Sequence, residues 1–367
     1  MTVYKFADIA YNSTEKKKPE ESDKGVYIGL EHLDPGILEV SRYGAEVAPK
    51  GDKLIMRKGD VLFGRRRAYQ KKVAIAPFDG IFSAHGMVLR PKTDAIDPSF
   101  FPFFISSDCF LDEAIRVSVG SLSPTANWKD LKELAFDLPP LSKQREIAGV
   151  MAAAETLKSK YRALIKCSDD LVKSQFVEMF GDPSSTTSLF PLKTIGELAS
   201  DIRYGTSKKA GDEGEYTYLR MNNMTDDGRL DFTDTKQITL SGAELENCLV
   251  RKGDLLFNRT NSREKVGKTT VFNEETPMVI AGYIIRVRLK NVMRTRYLSA
   301  FMNLEPTKHL LRTIAKGAVH QANINSKELA SIEVPVPPVE LQDSFLSFVD
   351  QVDKSKFIKR CICCVMP

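Results

Sequence analysis

Two stretches of this 367-residue chain carry side chains whose types and spacing could do chemistry. Arg65-Arg66-Arg67-Ala68-Tyr69-Gln70-Lys71-Lys72 places five cations and an aromatic ring directly behind an apolar run ending at Phe63. Behind a matching run that ends at Phe257 comes Asn258-Arg259-Thr260-Asn261-Ser262-Arg263-Glu264-Lys265, with Lys268 close by. Arg pairs bidentately with guanine and Asn with adenine in a major groove, whereas Lys and Tyr more often anchor phosphates. The candidate contacts to nucleic acid are therefore Arg65, Arg66, Arg67, Tyr69, Lys71 and Lys72 in the first stretch, and Asn258, Arg259, Asn261, Arg263, Lys265 and Lys268 in the second. Tyr204 and Lys208, from a third basic turn, and the loop residues His320 and Gln321 join them. Any one such cluster is equally a solvated turn. Asn222, Asn223, Lys316 and Asn323 have an ordinary surface reading as readily as a binding one.

Catalysis finds little support. Gly267-Lys268-Thr269 resembles the end of a phosphate-binding loop, but Ser262 stands where its first glycine is required. Both Pro-Pro pairs follow an aliphatic residue, Leu138 or Val336, and begin helices, so neither is the Asn/Asp-Pro-Pro-aromatic tetrapeptide of an adenine methyltransferase. Glu15-Lys16-Lys17 lacks the upstream acid of a nuclease centre, and His32, His85, His309 and His320 show no metal-ligand spacing. No catalytic residue, metal site or cofactor is expected. The net charge of +5 favours an acidic partner only weakly. Cys109, Cys167 and Cys248 are isolated, which suggests a reducing compartment, and no signal peptide or membrane span is evident, so the expected location is cytoplasmic.

The elements that position the two stretches come from an internal repeat. Arg57-Lys58-Gly59-Asp60 recurs as Arg251-Lys252-Gly253-Asp254 at an offset of 194, and Tyr27 matches Tyr218. Leu138-Pro139-Pro140 with Gln144 returns as Val336-Pro337-Pro338 with Gln342. Short β-like runs separated by Gly, Pro and Asp turns fill both halves. Between them lies a helical segment with a heptad stripe of Ile147, Val150, Ala154, Leu157, Tyr161, Leu164 and Leu171, spanning roughly 57 Å at 1.5 Å per residue. The expected fold is α+β: two repeated globular recognition domains, 1–142 and 190–338, with a spacer helix 143–181 and a linker 182–189. A second helix starts at 339–357 in register with the first, and an atypical tail, 358–367, follows. The second helix is expected to be truncated after Phe357, leaving the start of an antiparallel seam uncovered. A duplicated coiled-coil scaffold that binds proteins, without DNA specificity, is the alternative from another class.

These features resemble the specificity subunit of type I restriction-modification enzymes. The resemblance rests on the two Arg-Lys-Gly-Asp segments with their following Phe, on the Gly317 to Leu329 segment with its looser counterpart Gly120 to Leu134, and on the Pro-Pro helix starts with their glutamines. It implies two target recognition domains on antiparallel coiled-coil helices and a bipartite double-stranded DNA target. It also implies methyltransferase subunits docked on the helix stripe and a translocating nuclease subunit for restriction. S-adenosylmethionine, ATP and Mg would act only in those partners. The two-fold relation implied by such a rod would limit the separation of half-sites to about 17 base pairs.

Overall fold

The computed structural model describes residues 2–185, 188–318 and 321–365. The chain divides into two compact units inside one helix, the first ending at Ser159 and the second beginning at Lys160. In the first unit, β1 (Ala10–Ser13), β2 (Val61–Phe63), β3 (Val73–Ile75) and β4 (Met87–Pro91) form an antiparallel sheet in the order β1-β4-β2-β3. A second sheet holds Lys16–Lys17, Lys53–Met56, Gly80–Phe82 and Tyr27–Ile28 in that order, the last pair parallel. Because side chains alternate along a strand, Val61 and Phe63 enter one cluster with Phe6 and Phe110, and Leu62 enters another with Ile28 and Phe82. Three consecutive apolar residues are thus what a strand buried on both faces requires.

Two helices close this unit's plan: α1 (Trp128–Leu131) and α2 (Leu141–Phe180). The second unit repeats the sheet as β5 (Ala199–Tyr204), β6 (Leu255–Asn258), β7 (Thr269–Val271) and β8 (Ile284–Leu289), again ordered β5-β8-β6-β7. Leu255 and Phe257 face one cluster, and Leu256 faces another. Its helices α3 (Ser326–Ala330) and α4 (Val339–Val365) correspond to α1 and α2.

The Arg-Lys-Gly-Asp segments are tight turns. Gly59 and Gly253 sit at φ of 92° and 95°, a left-handed conformation that any side chain would strain. In each turn the aspartate accepts the N–H of the arginine that opens it, Arg57 to Asp60 at 2.8 Å and Arg251 to Asp254 at 2.9 Å. The same carboxylate receives a guanidinium from the neighbouring strand: Arg90 meets Asp60 at 2.7 and 2.8 Å, and Arg288 meets Asp254 at 2.9 and 3.2 Å.

The helix starts are pinned by buried glutamines. Gln144 accepts the N–H of Asp97 at 2.8 Å and donates to the carbonyls of Ala95 and Pro139. Gln342 accepts the N–H of Arg294 at 2.8 Å and donates to Val292 and Pro337. The repeat therefore runs at an offset of 198 by this point, and the structure corrects the sequence alignment nearby. Asn127 and Asn325 stand at the N-caps of α1 and α3, and so rank as counterparts where a match of the Ala126-Asn127 and Ala322-Asn323 pairs would have set Asn127 against Asn323.

Within the second unit α4 packs against the end of α2 in the opposite direction. Phe345 meets Phe176 and Phe180 with ring centroids 5.4 and 5.6 Å apart, and farther along Lys356 reaches Asp169 at 2.7 Å. The buried face of α2 here is Ser168, Phe176 and Phe180, with Val172 packed beside them, so Leu164 and Leu171 of the named stripe lie off this contact. Val150, Leu157, Leu164 and Leu171, seven residues apart, are between 38% and 67% exposed. Aromatic bulk decided the matter: Phe176 and Phe180 bury more area than the leucines and turn them outward. The α4 backbone also stays helical to Val365, past the expected break at Phe357.

Replacing Gln342 by Leu leaves one N–H and two carbonyls without their partner in a buried site. It should cost about 1–3 kcal/mol and lower the thermal midpoint of the second unit. Unchanged melting of Gln342→Leu would show that the amide does not pin the helix.

Candidate nucleic-acid interface

In both units the candidate loop leaves the sheet at the strand behind the Arg-Lys-Gly-Asp turn. Gly64 N–H donates to Lys72 O at 2.9 Å and Asn258 N–H to Lys268 O at 2.8 Å, closing loops 65–71 and 259–267. A second tether comes from the segment before the short helix: Ala126 N–H reaches Arg65 O and Ile324 N–H reaches Arg259 O. A third is the lysine ammonium itself. Lys72 Nζ donates to Leu30 O at 2.6 Å, and Lys268 Nζ donates to Met224 O at 3.0 Å while pairing with Asp226 at 2.8 Å.

These tethers sort the expected contacts. Lys72 and Lys268 are removed from the candidate face, because their ammonium groups stitch each loop to the neighbouring one. Lys71 lies between Asp108 and Asp112, at 2.6 and 3.1 Å, and hydrogen bonding to both raises its pKa. Asn258 is fully buried, giving its amide to the carbonyls of Thr260 and Tyr283 and accepting from Asn261 Nδ2. It cannot reach a base edge. Asn261 is thereby engaged too, since its Oδ1 caps the N–H of Ser262. Asn223 likewise is a buried turn residue, bonded to Arg220, Asp231 and Asp234. Lys208 pairs with Glu244, and Lys265 stands exposed at 4.0 Å from Asp226. Gln321 is exposed on a strand paired with Lys316–Ala318, and His320 lies outside the described residues.

What remains is a set of arginines. Arg57, Arg90, Arg251 and Arg288 are all ion-paired, but Arg65, Arg66, Arg67, Arg259 and Arg263 form no ion pair among the described residues. Arg66 Nη1 lies 3.4 Å from His85 Nε2, and Arg67 Nε reaches Ser123 Oγ at 3.3 Å. Tyr69 beside them is 52% exposed. His85 was not singled out by the sequence. Partial burial, then the charges of Arg66, Arg65 and Lys53, hold its imidazole below the ordinary value. Arg67 and Lys71 are the two described non-glycine residues at positive φ, 56° and 50°, so the loop is held in a strained shape.

In the second unit Arg263 reaches the carbonyls of Ala315 and Gly317 at 3.4 and 3.3 Å. Arg259 lies over the ring of Tyr204, its guanidinium carbon 4.8 Å from the centroid. Tyr283 stands where His85 stands in the first unit, since each lies two residues before the partner of the strand phenylalanine, Met87 opposite Phe63 and Ile285 opposite Phe257. Repeat alignment at an offset of 198 was the signal that would have found both. Among the described residues no cluster of His, Cys, Asp or Glu could hold a metal ion, and no helix is long and apolar enough to cross a membrane.

Comparison with known proteins identifies the family. The family described as type I restriction modification DNA specificity domain matches residues 1–165 and 187–360. The EcoKI specificity subunit of Escherichia coli K12 is 25% identical over 84% of this chain and 68% of its own length. The StySPI specificity subunit of Salmonella potsdam is 23% identical over the same shares. A chain solved in a study of complex assembly and conformational transition of the type I R-M system aligns with a TM-score of 0.51 at 19% identity. It covers 98% of this chain and 92% of that one, which supports the two-domain fold.

The sorting predicts two separable phenotypes. Lys72→Ala and Lys268→Ala should lower thermal stability, whereas the triple change of Arg65, Arg66 and Arg67 to Ala should leave melting unchanged. The triple variant should also reduce the salt slope of duplex DNA binding by up to three, about one for each phosphate that is no longer neutralised. An unaltered slope removes the first loop from the interface.

Proposed function

We propose a function from a plain premise: the chain belongs to the type I restriction-modification DNA specificity family. Within that family it serves as a non-catalytic specificity subunit, reading a bipartite double-stranded DNA target with one half-site per recognition domain. The observation that carries this reading is the pair of equivalently tethered loops, each presenting arginines that no carboxylate neutralises among the described residues. Leaving such charge unpaired on a fold that pairs its other strand arginines suits a polyanion, and a protein-binding scaffold gives no reason for it.

Methylation and cleavage belong to partners. Methyltransferase subunits, with S-adenosylmethionine, dock along α2 on the exposed stripe of Val150, Leu157, Leu164 and Leu171, bordered by the half-buried Ile147, Ala154 and Tyr161. A translocating nuclease subunit, using ATP and Mg, joins for restriction. The antiparallel contact of α4 with α2 supports reading the helices as a coiled-coil spacer.

Exchanging residues 190–335 for the matching domain of another member, then mapping methylated adenines by long-read sequencing, should change one half of the motif and spare the other. Change in both halves defeats the assignment of one half-site per domain. Leu164→Asp with Leu171→Asp, at exposed positions, should leave melting within about 0.5 kcal/mol of wild type yet reduce co-purification of methyltransferase subunits several-fold. Full recovery of the complex places the docking face elsewhere.

A further inference from the structure

Arg259 differs from the other unpaired arginines in having an aromatic ring beneath its guanidinium. Its N–H and C=O are both bonded, to Tyr283 and Ile324, and its guanidinium carbon lies over the Tyr204 ring, 4.8 Å from the centroid. The ring is fixed in turn. Tyr204 Oη donates to Ser326 Oγ at 2.9 Å and accepts the Ser326 N–H at 2.7 Å. Ser326 is the first residue of α3, whose start is held by the Asn325 and Glu328 capping box. Among the described residues Arg259 Nε is buried without a partner, and no carboxylate takes the guanidinium.

A guanidinium held against an aromatic face, on a backbone bonded at both N–H and C=O, has little rotamer freedom left to lose on binding. Two parallel donors on a rigid fork match the O6 and N7 acceptors of guanine, and the fit to a phosphate does not need such rigidity. The first unit has no equivalent. Met87 opposes Phe63 as Ile285 opposes Phe257, and Tyr204 opposes Ile285, so the matching position is the residue after Ser13, which is Thr14.

We infer that Arg259, positioned by Tyr204, reads a guanine in the half-site of the second recognition domain. The inference rests on the proposed specificity role and adds to it the base and the reader. The test uses the full chain co-expressed with its methyltransferase subunit, with host genomic DNA as the probe and adenine methylation mapped by long-read sequencing. Arg259→Ala and Arg259→Lys should each relax one G·C position of the second half-site, with roughly tenfold loss of preference there, and leave the first half-site unchanged. Tyr204→Leu should relax the same position, whereas Tyr204→Phe, which keeps the ring, should not. Arg259→Lys keeps the charge and provides the readout if the alanine variant fails to fold. An even loss of methylation across sequences makes Arg259 a phosphate anchor and overturns the inference, as does an unchanged motif. A second half-site lacking any G·C pair also overturns it, while leaving the specificity role intact. Absence of any sequence-specific methylation by the intact wild-type complex defeats the specificity role itself.

Discussion

The buried ion pair between a turn aspartate and the arginine of the adjacent strand is the constraint on which each recognition domain depends. Asp60 and Asp254 are nearly inaccessible, and each has to satisfy its oxygens with one backbone N–H and one guanidinium. Burial of such a pair gains little net stability, because desolvation offsets most of the attraction. Its effect is on register. With the carboxylate fixed between the turn and the neighbouring strand, β2 can meet β4 in only one alignment, and β6 can meet β8 in only one. The loop behind each strand then leaves the sheet at the same place, whatever residues it carries.

From that fixed point the tethers follow in order. Lys72 and Lys268 close the base of each loop, the segment before the short helix holds its first arginine, and the glutamine after the Pro-Pro pair locks the long helix to the domain. Around the glutamine the two copies even exchange charge: Arg145 pairs with Asp97 at 2.8 Å, and Asp343 pairs with Arg294 at 2.7 Å. Exposed pairs of this kind contribute about 0.2–1 kcal/mol, so either polarity serves, provided both partners change together. The glutamine makes three bonds in a buried site and has not changed.

The same contrast explains what the sequence disclosed. The duplication, the α+β class, the tight turns and the helix starts were legible because each rests on a local requirement: a glycine at positive φ, alternating burial, a buried amide. The direction of the α2 stripe was not. Two apolar faces compete on that helix, and only the tertiary position of Phe176 and Phe180 selects between them. Among the candidate contacts, the arginines persisted and Asn258, Lys72 and Lys268 did not. A signal for these was present. Lys72 and Lys268 recur at equivalent positions, as residues that hold the scaffold do, and the counterpart of Asn258 is Gly64, a buried place with no side chain to offer a ligand.

What differs between the copies is then the better guide to recognition. Thr14 against Tyr204 and His85 against Tyr283 flank a shared arginine, Arg65 in one loop and Arg259 in the other. In the first unit that neighbourhood is cationic, with a strained loop and three successive arginines, an arrangement suited to charge. In the second it is aromatic, with one arginine set over a ring that is tied to a helix start, an arrangement suited to shape. One scaffold can hold both because the ion pair and the tethers lie beneath the loop and use none of the residues that vary. Divergence at the tips therefore costs the fold nothing, which is the physical condition for two copies of one domain to read two different sequences.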